Sequence, residues 1–362
     1  MDINEILITY GNNIEAMAVR LAEEAGLASL IGDKNKKIGL KPNLVVSRPA
    51  AGGATTHVEI AAGLIGYLKK NGFNNITILE GSWVGGSTGE AYKVCGYAAL
   101  ASETGVKLVD TKRDKSKSCD CKGLRLDICE SALAIDFMIN LPVLKGHCQA
   151  KLTCALKNNK GVIPDSEKRR YHSLGLTKPI AHLNTVVRND FIVVDGICGD
   201  LDFEEGGNPL YGGRLFAARD PVLCDAYAAS LMGYSTEDIP YIGLAGKLGV
   251  GNADLNSAKI RELNSPSGNV SNASSVSSGK VAKLISFINE SGACSACYAS
   301  LVYALSHANR GSLERMKEKI CIGQGFKGKH GNIGIGQCCS GFKSFCAGCP
   351  PSGVDVLRFL GK

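Results

Sequence analysis

Seven of the 15 cysteines crowd into residues 294–349: Cys294, Cys297, Cys321, Cys338, Cys339, Cys346 and Cys349. They spell CSAC and, after a gap, GQCCSGFKSFCAGCPP. Thiolate sulfur is a soft ligand that suits zinc, copper(I) and iron–sulfur clusters. One CxxC pair puts two thiolates on a single metal centre, and a second pair completes a set of four. The last cysteine is followed by Pro350, as in ferredoxin-like runs. Glycines at 334, 336, 341 and 348 let backbone pass close to an inorganic core. This pattern predicts a [4Fe–4S] cluster on Cys294, Cys297, Cys338 or Cys339, and Cys349, with Cys346 and Cys321 as spare or substitute thiols. A structural zinc site is the alternative, because paired CxxC is also a zinc-ribbon pattern.

A second group lies in LPVLKGHCQAKLTCALKNNKG (141–161) and the residues that follow. From 141 to 178 there are eight Lys or Arg, including Lys145, Lys151, Lys157, Lys160 and Lys168, against Asp165 and Glu167. His147 and His172 fall inside it and His182 just beyond. Lys145 and His147 stand where a strand should end, the usual ligand edge of an α/β sheet. Lysines there would hold a carboxylate or phosphate, and a histidine would move a proton. Lys41 and Asn43, around Pro42, are similarly poised; Asp195 and Asp220 could orient a base or bind metal, although Asp220 also reads as a helix N-cap. Lys168, Arg169 and Arg170 read as a solvated face. Two glycine-rich loops, 52–56 and 81–89, could face an anion, but neither is a phosphate-loop motif.

The elements that must carry these groups alternate. Strand-like runs (ILITYG, KKIGLKPNLVV, NITILEG, VKLVD, FMINLPVLK, FIVVDGI, RLFAARD) are separated by amphipathic helical ones, which predicts a largely parallel sheet with helices on both faces. Gly26 and Gly72 read as helix stops, and Thr56/Glu59 and Ser87/Glu90 as capping boxes. The expected organisation is an α/β ligand-binding domain over 1–263, a polar linker or surface loop over 264–279, and a cysteine-rich region over 280–362. No internal repeat is evident.

At 362 residues with 44% hydrophobic content, the chain has room for roughly two globular domains. A net charge of +7 without an aromatic-laced basic stripe favours an anionic small molecule over nucleic acid. The first residues show neither a basic n-region nor an apolar h-region, and no run is long enough to span a bilayer. A cytoplasmic protein with no membrane or nucleic-acid partner is therefore expected, its many reduced thiols suiting an anaerobe.

LKPN (40–43), LPVLKGHCQAKLTCALKNNKG (141–161), VVDGI (193–197) and ARDPVLCDAYAASLMG (218–233) resemble the family known as domain of unknown function 362. The resemblance covers residues 38–235. The C-terminal cysteines are similar to the ferredoxin-like attachment of some members. It implies that Lys41, Asn43, Lys145, His147, Thr153, Lys157, Asn158, His172, Asp195 and Asp220 are the site residues. Catalytic roles are expected for Lys41, Lys145, His147 and His172, and cofactor or ligand binding for Asn43, Lys157, Asn158 and Asp195. Read together, the two groups predict an iron–sulfur oxidoreductase or electron-transfer protein, with a redox protein as a possible partner. The alternatives are a lyase or sulfur-transfer enzyme with a structural or Lewis-acid cluster, and a zinc-stapled binding protein.

Overall fold

The computed structural model describes residues 1–201, 203–207, 209–266, 284–308 and 318–361. The strands of the first 263 residues are β1 (Glu5–Tyr10), β2 (Ile38–Pro42), β3 (Ile76–Glu80), β4 (Lys107–Asp110), β5 (Ser116–Asp120), β6 (Arg125–Cys129), β7 (Phe137–Leu141), β8 (Lys145–His147), β9 (Lys151–Thr153), β10 (Phe191–Asp200), β11 (Pro209–Ala218) and β12 (Lys259–Glu262). Eight of them form one sheet in the order β12-β1-β11-β10-β7-β2-β3-β4. Pairing is parallel except on either side of β11, which runs antiparallel to β1 and β10. Strand β2 is buried along its whole length, as the interior of a sheet covered on both faces requires. Side chains alternate between two cores. Leu7, Leu40, Ile78, Ile139 and Val193 pack under helices Ile14–Glu24 and Val58–Lys70, whereas Ile6, Ile8, Ile192, Val194 and Phe216 pack under Pro221–Leu231 and Pro240–Lys247. The expected α/β fold with helices on both faces is the one formed.

Local chemistry sets the boundaries. Asp220 caps Pro221–Leu231 by accepting from Val222 N and Leu223 N at 2.8 and 3.0 Å, with Pro221 in the first helical position. Ser87 accepts from Glu90 N. Thr56 is no cap, contrary to expectation: its hydroxyl donates to Leu141 O and accepts from Asn43 N, tying the β2 loop to β7, while His57 precedes helix Val58–Lys70.

The cysteine-rich region contains a second sheet, of β13 (Ile288–Glu290), β14 (Ile320–Ile322), β15 (Ile333–Ile335) and β16 (Ser344–Cys346), all parallel in that order. Past each strand the chain turns at a left-handed glycine: Gly292, Gly323, Gly336 or Gly348, with φ of 64°, 118°, 85° and 132°. An L side chain is strained at such angles, so these four turns need glycine. Ile-x-Ile-Gly-Gln occurs at 320–324 and again at 333–337. The rungs are thus a short internal repeat, which corrects the expectation of none. The polar run at 264–279 lies outside the described residues from 267 onward.

Candidate functional site

Helix Ser295–His307 begins directly after Cys294, its N-cap, which makes no side-chain capping bond, and Cys297 lies in its first turn. Uncapped N–H groups and the positive helix end favour thiolates there. The carboxyl ends of β14, β15 and β16 face this turn. Between them lies a cavity of about 200 Å³ lined by Cys294, Cys297, Cys338 and Cys349, the backbone of Gly323, Gly336 and Gly348, and Arg169 and Lys327. Burial pushes the Cys294 thiol up, opposed by the ammonium of Lys160 and the guanidinium of Arg169. Cys339 and Cys346, both in the expected ligand set, are not in this lining. Cys339 Sγ is 3.4 Å from Cys321 O under β15, and Cys346 is packed in the hydrophobic cluster around the second sheet.

Cys294 is also in the wall of a second cavity, of about 70 Å³, at the carboxyl ends of β2 and β3. Asn43, Glu80, Lys145, Thr153, Lys157, Asn158, Lys160, Lys168, His172, Glu204 and Ser295 line it, with Trp83 and Val84 on the apolar side. An asparagine chain fixes the floor. Asn140 Oδ1 accepts from Asn158 Nδ2 at 2.7 Å, Asn158 Oδ1 accepts from Asn43 Nδ2 at 2.9 Å, and Asn43 Oδ1 accepts from Lys145 Nζ at 3.1 Å. Burial pushes the Lys145 amine down to about 7, but Asn43 Oδ1, Ala54 O and Glu204 O offer three acceptors that match an ammonium. Lys157 Nζ is 3.1 Å from Glu204 Oε2. Although burial disfavours the charge on Glu204, His147, Lys157 and Lys160 hold its carboxyl well below the usual range.

Lys160 is distinct. Its side chain is half-exposed, yet its amine is enclosed and lies 2.8 Å from His172 Nε2. Burial and the nearby Lys157 push it down to about 7. The ring it meets is uncharged, because burial and Lys160 hold His172 well below its ordinary value. Ser295 N and Oγ also approach His172 Nε2, at 3.3 and 3.2 Å. Lys168 Nζ donates to Gly81 O and Ser82 O. Lysines outnumber carboxylates around this cavity, so it can neutralise a small anion.

Several expected residues take other roles. Lys41 is fully buried beneath the cavity, 2.8 Å from Glu80 Oε2, and orients that carboxylate rather than meeting a ligand. His147 is buried and is held by its Nδ1 edge, while Nε2 has a carboxylate nearby but no hydrogen bond among the described residues. Its Nδ1 accepts from Gln149 N and Ala150 N, and its Nε2 lies 2.8 Å from Glu204 Oε2; burial lowers it to about 4. Asp195 is taken up by His57, accepting from both His57 N and Nδ1 at 2.8 Å; burial opposes the charge on His57, but Asp195 raises it to about 10. Lys168 and Arg169 are not a solvated face, since they line the two cavities, whereas Arg170 is exposed and pairs with Glu167. The 81–89 loop lines the lysine cavity through Gly81, Trp83 and Val84, whereas at the 52–56 loop Gly53 packs against Asp200. Sequence reasoning missed Glu80, Glu204, Ser295 and Trp83. The position of Glu80, ending NITILEG at a strand's carboxyl end, was the available signal. Among the described residues, no helix is long and apolar enough to cross a membrane.

Among characterised proteins, the thylakoid-associated protein sll1697 of Synechocystis is 22% identical over 251 residues, 66% of this chain and 76% of that one. Among solved structures, the lactate racemase apoprotein of Thermoanaerobacterium thermosaccharolyticum is similar over 59% of this chain at 15% identity and a TM-score of 0.38; this chain spans 54% of that one. The family model described as domain of unknown function (DUF362) matches residues 38–230, which carry most of the lysine cavity and contribute Arg169, but none of the cysteines, to the cysteine cavity. The chain belongs to the DUF362 family.

Proposed function

We propose that Cys294, Cys297, Cys338 and Cys349 hold a [4Fe–4S] cluster, and that the protein is an oxidoreductase acting on a small anion in the lysine cavity. The observation that carries this is Cys294, which stands in the wall of both cavities. Zinc fits the thiols less well. A tetrahedron of thiolates at 2.3 Å from zinc needs sulfurs about 3.8 Å apart. The close trio of potential ligand atoms among the described residues, within 4.8 Å of one another, is Cys154, Cys224 and Asp225, not a set drawn from this cavity. A wider cage with glycine backbone in its walls suits a polyatomic core.

When bound, such a cluster would supply single electrons beside the anion site. The chain's own residues do the rest. Lys157, Lys160 and Lys168 offset the anion's charge, and the Thr153 and Ser295 hydroxyls offer it hydrogen bonds. Trp83 and Val84 keep water from one side. Lys160, not His147, is the proton donor in this reading, because an amine held near 7 titrates in the working range while His147 accepts two backbone N–H groups at Nδ1 and is held down near 4 by burial.

The test is anaerobic purification with iron and acid-labile sulfide analysis. About four of each per chain, with a brown visible spectrum, is expected. Colourless protein without iron refutes the proposal, and one zinc without sulfide selects a zinc-stapled binding protein instead.

A further inference from the structure

The cysteine cavity has an inner and an outer wall. Cys294 faces the lysine cavity, whereas Cys349 is exposed and Cys338 is half-buried. Arg169 and Lys327 border the lining, and from Lys327 the exposed Lys329, His330 and Lys343 lead away toward the amino ends of β15 and β16. Their clustering is built in. Phe326 and Phe342 meet edge to face at 5.9 Å, and His330 Nδ1 lies 2.9 Å from Gly341 O, which holds the 326–330 turn against 341–343. Residues 320–349 contain no Asp or Glu. Of the acids flanking them, Glu318 accepts from Asn332 Nδ2 at 2.8 and 2.7 Å, and Asp355 caps the last helix with Ser352.

We propose that this basic rim is the docking surface of an acidic one-electron carrier protein, an inference that rests on the iron–sulfur reading above. Each encounter would move one electron across the Cys349 side. The carrier is oxidised by one and the cysteine-held group is reduced by one, or the reverse if the substrate is the donor. Charge of one sign beside an exposed redox edge, and within a Debye length of it, steers a complementary partner to it. Nucleic acid is disfavoured: the patch is small, Phe342 is buried and Phe326 half-buried, so no exposed aromatic platform for bases accompanies the lysines.

The probe is an acidic plant-type [2Fe–2S] ferredoxin, titrated against the anaerobically reconstituted full chain. Affinity should fall at least tenfold between about 20 and 300 mM NaCl. At low salt, Lys329→Glu with Lys343→Glu should weaken binding roughly tenfold while iron, sulfide and the visible spectrum stay unchanged. Lys37→Glu with Lys107→Glu, at the opposite, amino ends of β2 and β4, should bind as the parent does. Unchanged ferredoxin binding in the Lys329/Lys343 variant overturns the proposal, as does displacement of ferredoxin by an equal charge of short duplex DNA. Iron content separates the two readings. If the chain holds no iron yet loses ferredoxin binding on the same reversal, the surface stands and the cluster reading falls.

Discussion

Replacing Lys160 by Met keeps the length of the side chain and removes its charge, and the consequence can be worked from the site. Lys157 is offset by Glu204, Lys41 by Glu80, and Lys168 by two carbonyls and Asp165, whereas Lys160 meets the neutral ring of His172. An anion about 4 Å from a unit charge gains about 4 kcal/mol at an effective dielectric of 20. Near pH 7 the half-charged amine costs the anion only a factor of two, about 0.4 kcal/mol, but Lys157 and Lys168 remain to take up part of the charge, so about half of that gain is at stake. The expected loss is about 2 kcal/mol, or roughly 30-fold in affinity. The sign of the pH dependence follows from a depressed amine: it is charged below about 7 and neutral above. Parent affinity for oxalate, which is fully ionised throughout, should therefore fall as pH rises from about 6 to 8, and the Lys160→Met variant should fall less steeply, with Lys145 left as the amine near 7 in the cavity. Calorimetry gives the affinity, and emission from Trp83, the chain's single tryptophan and part of the cavity wall, reports occupancy. An affinity within twofold of the parent, with the pH slope intact, would refute the assignment of Lys160 as the anion's counter-charge.

Single Cys→Ala changes at 294, 297, 338 and 349 should each lower iron content, whereas Cys339→Ala and Cys346→Ala should retain it and lose roughly 1–2 kcal/mol of stability through core packing; iron analysis and thermal melts separate the two groups. Gly161→Ala would push its methyl into Glu80 Oε1 and to within 2.6 Å of Lys41 Nζ, so a loss of about 1–3 kcal/mol is expected in denaturant unfolding. Glu204→Gln should strand His147 and Lys157 without their buried carboxylate and cost about 3–5 kcal/mol, read as a lower melting temperature.

Much of the α/β sheet was legible because buried parallel strands are continuous apolar runs bounded by turns. β12 was not: all four of its residues are exposed and three are charged, so an edge strand looks like a loop. The small sheet escaped for another reason. Its strands are three residues long, and what marks them is the repeated Ile-x-Ile-Gly-Gln rather than periodicity. Residue types announced that lysines and thiols would gather, but not which of them face a common space. Lys168 and Arg169 sit in a polar helix, Asp165–Ser173, whose composition reads as solvated; packing against the 81–89 loop and the turn at Gln324 buries part of that face. Sequence put His147, at a strand's end, ahead of His172 as a site residue. The turn after β8 aims two backbone N–H groups at His147, which takes it out of play, and only the fold decides that.

If the proposed function holds, two anionic guests would stand side by side, since a centre held by four thiolates and a bound carboxylate or phosphate would share the wall at Cys294. Like charges repel, and the amine of Lys160 is felt on both sides: it lines the anion cavity and steadies the Cys294 thiolate. Because that amine sits near 7, it is only partly charged when neither guest is present. Whichever anion arrives first draws in the missing proton, and the second then meets a fully charged lysine. One pH unit above its midpoint, protonating the amine takes about 1.4 kcal/mol, borne once by the first guest and spared to the second. This proton-linked gain opposes the direct repulsion and grows as pH rises. By reciprocity, the help the thiolate centre gives the anion must equal the help the anion gives the thiolate centre.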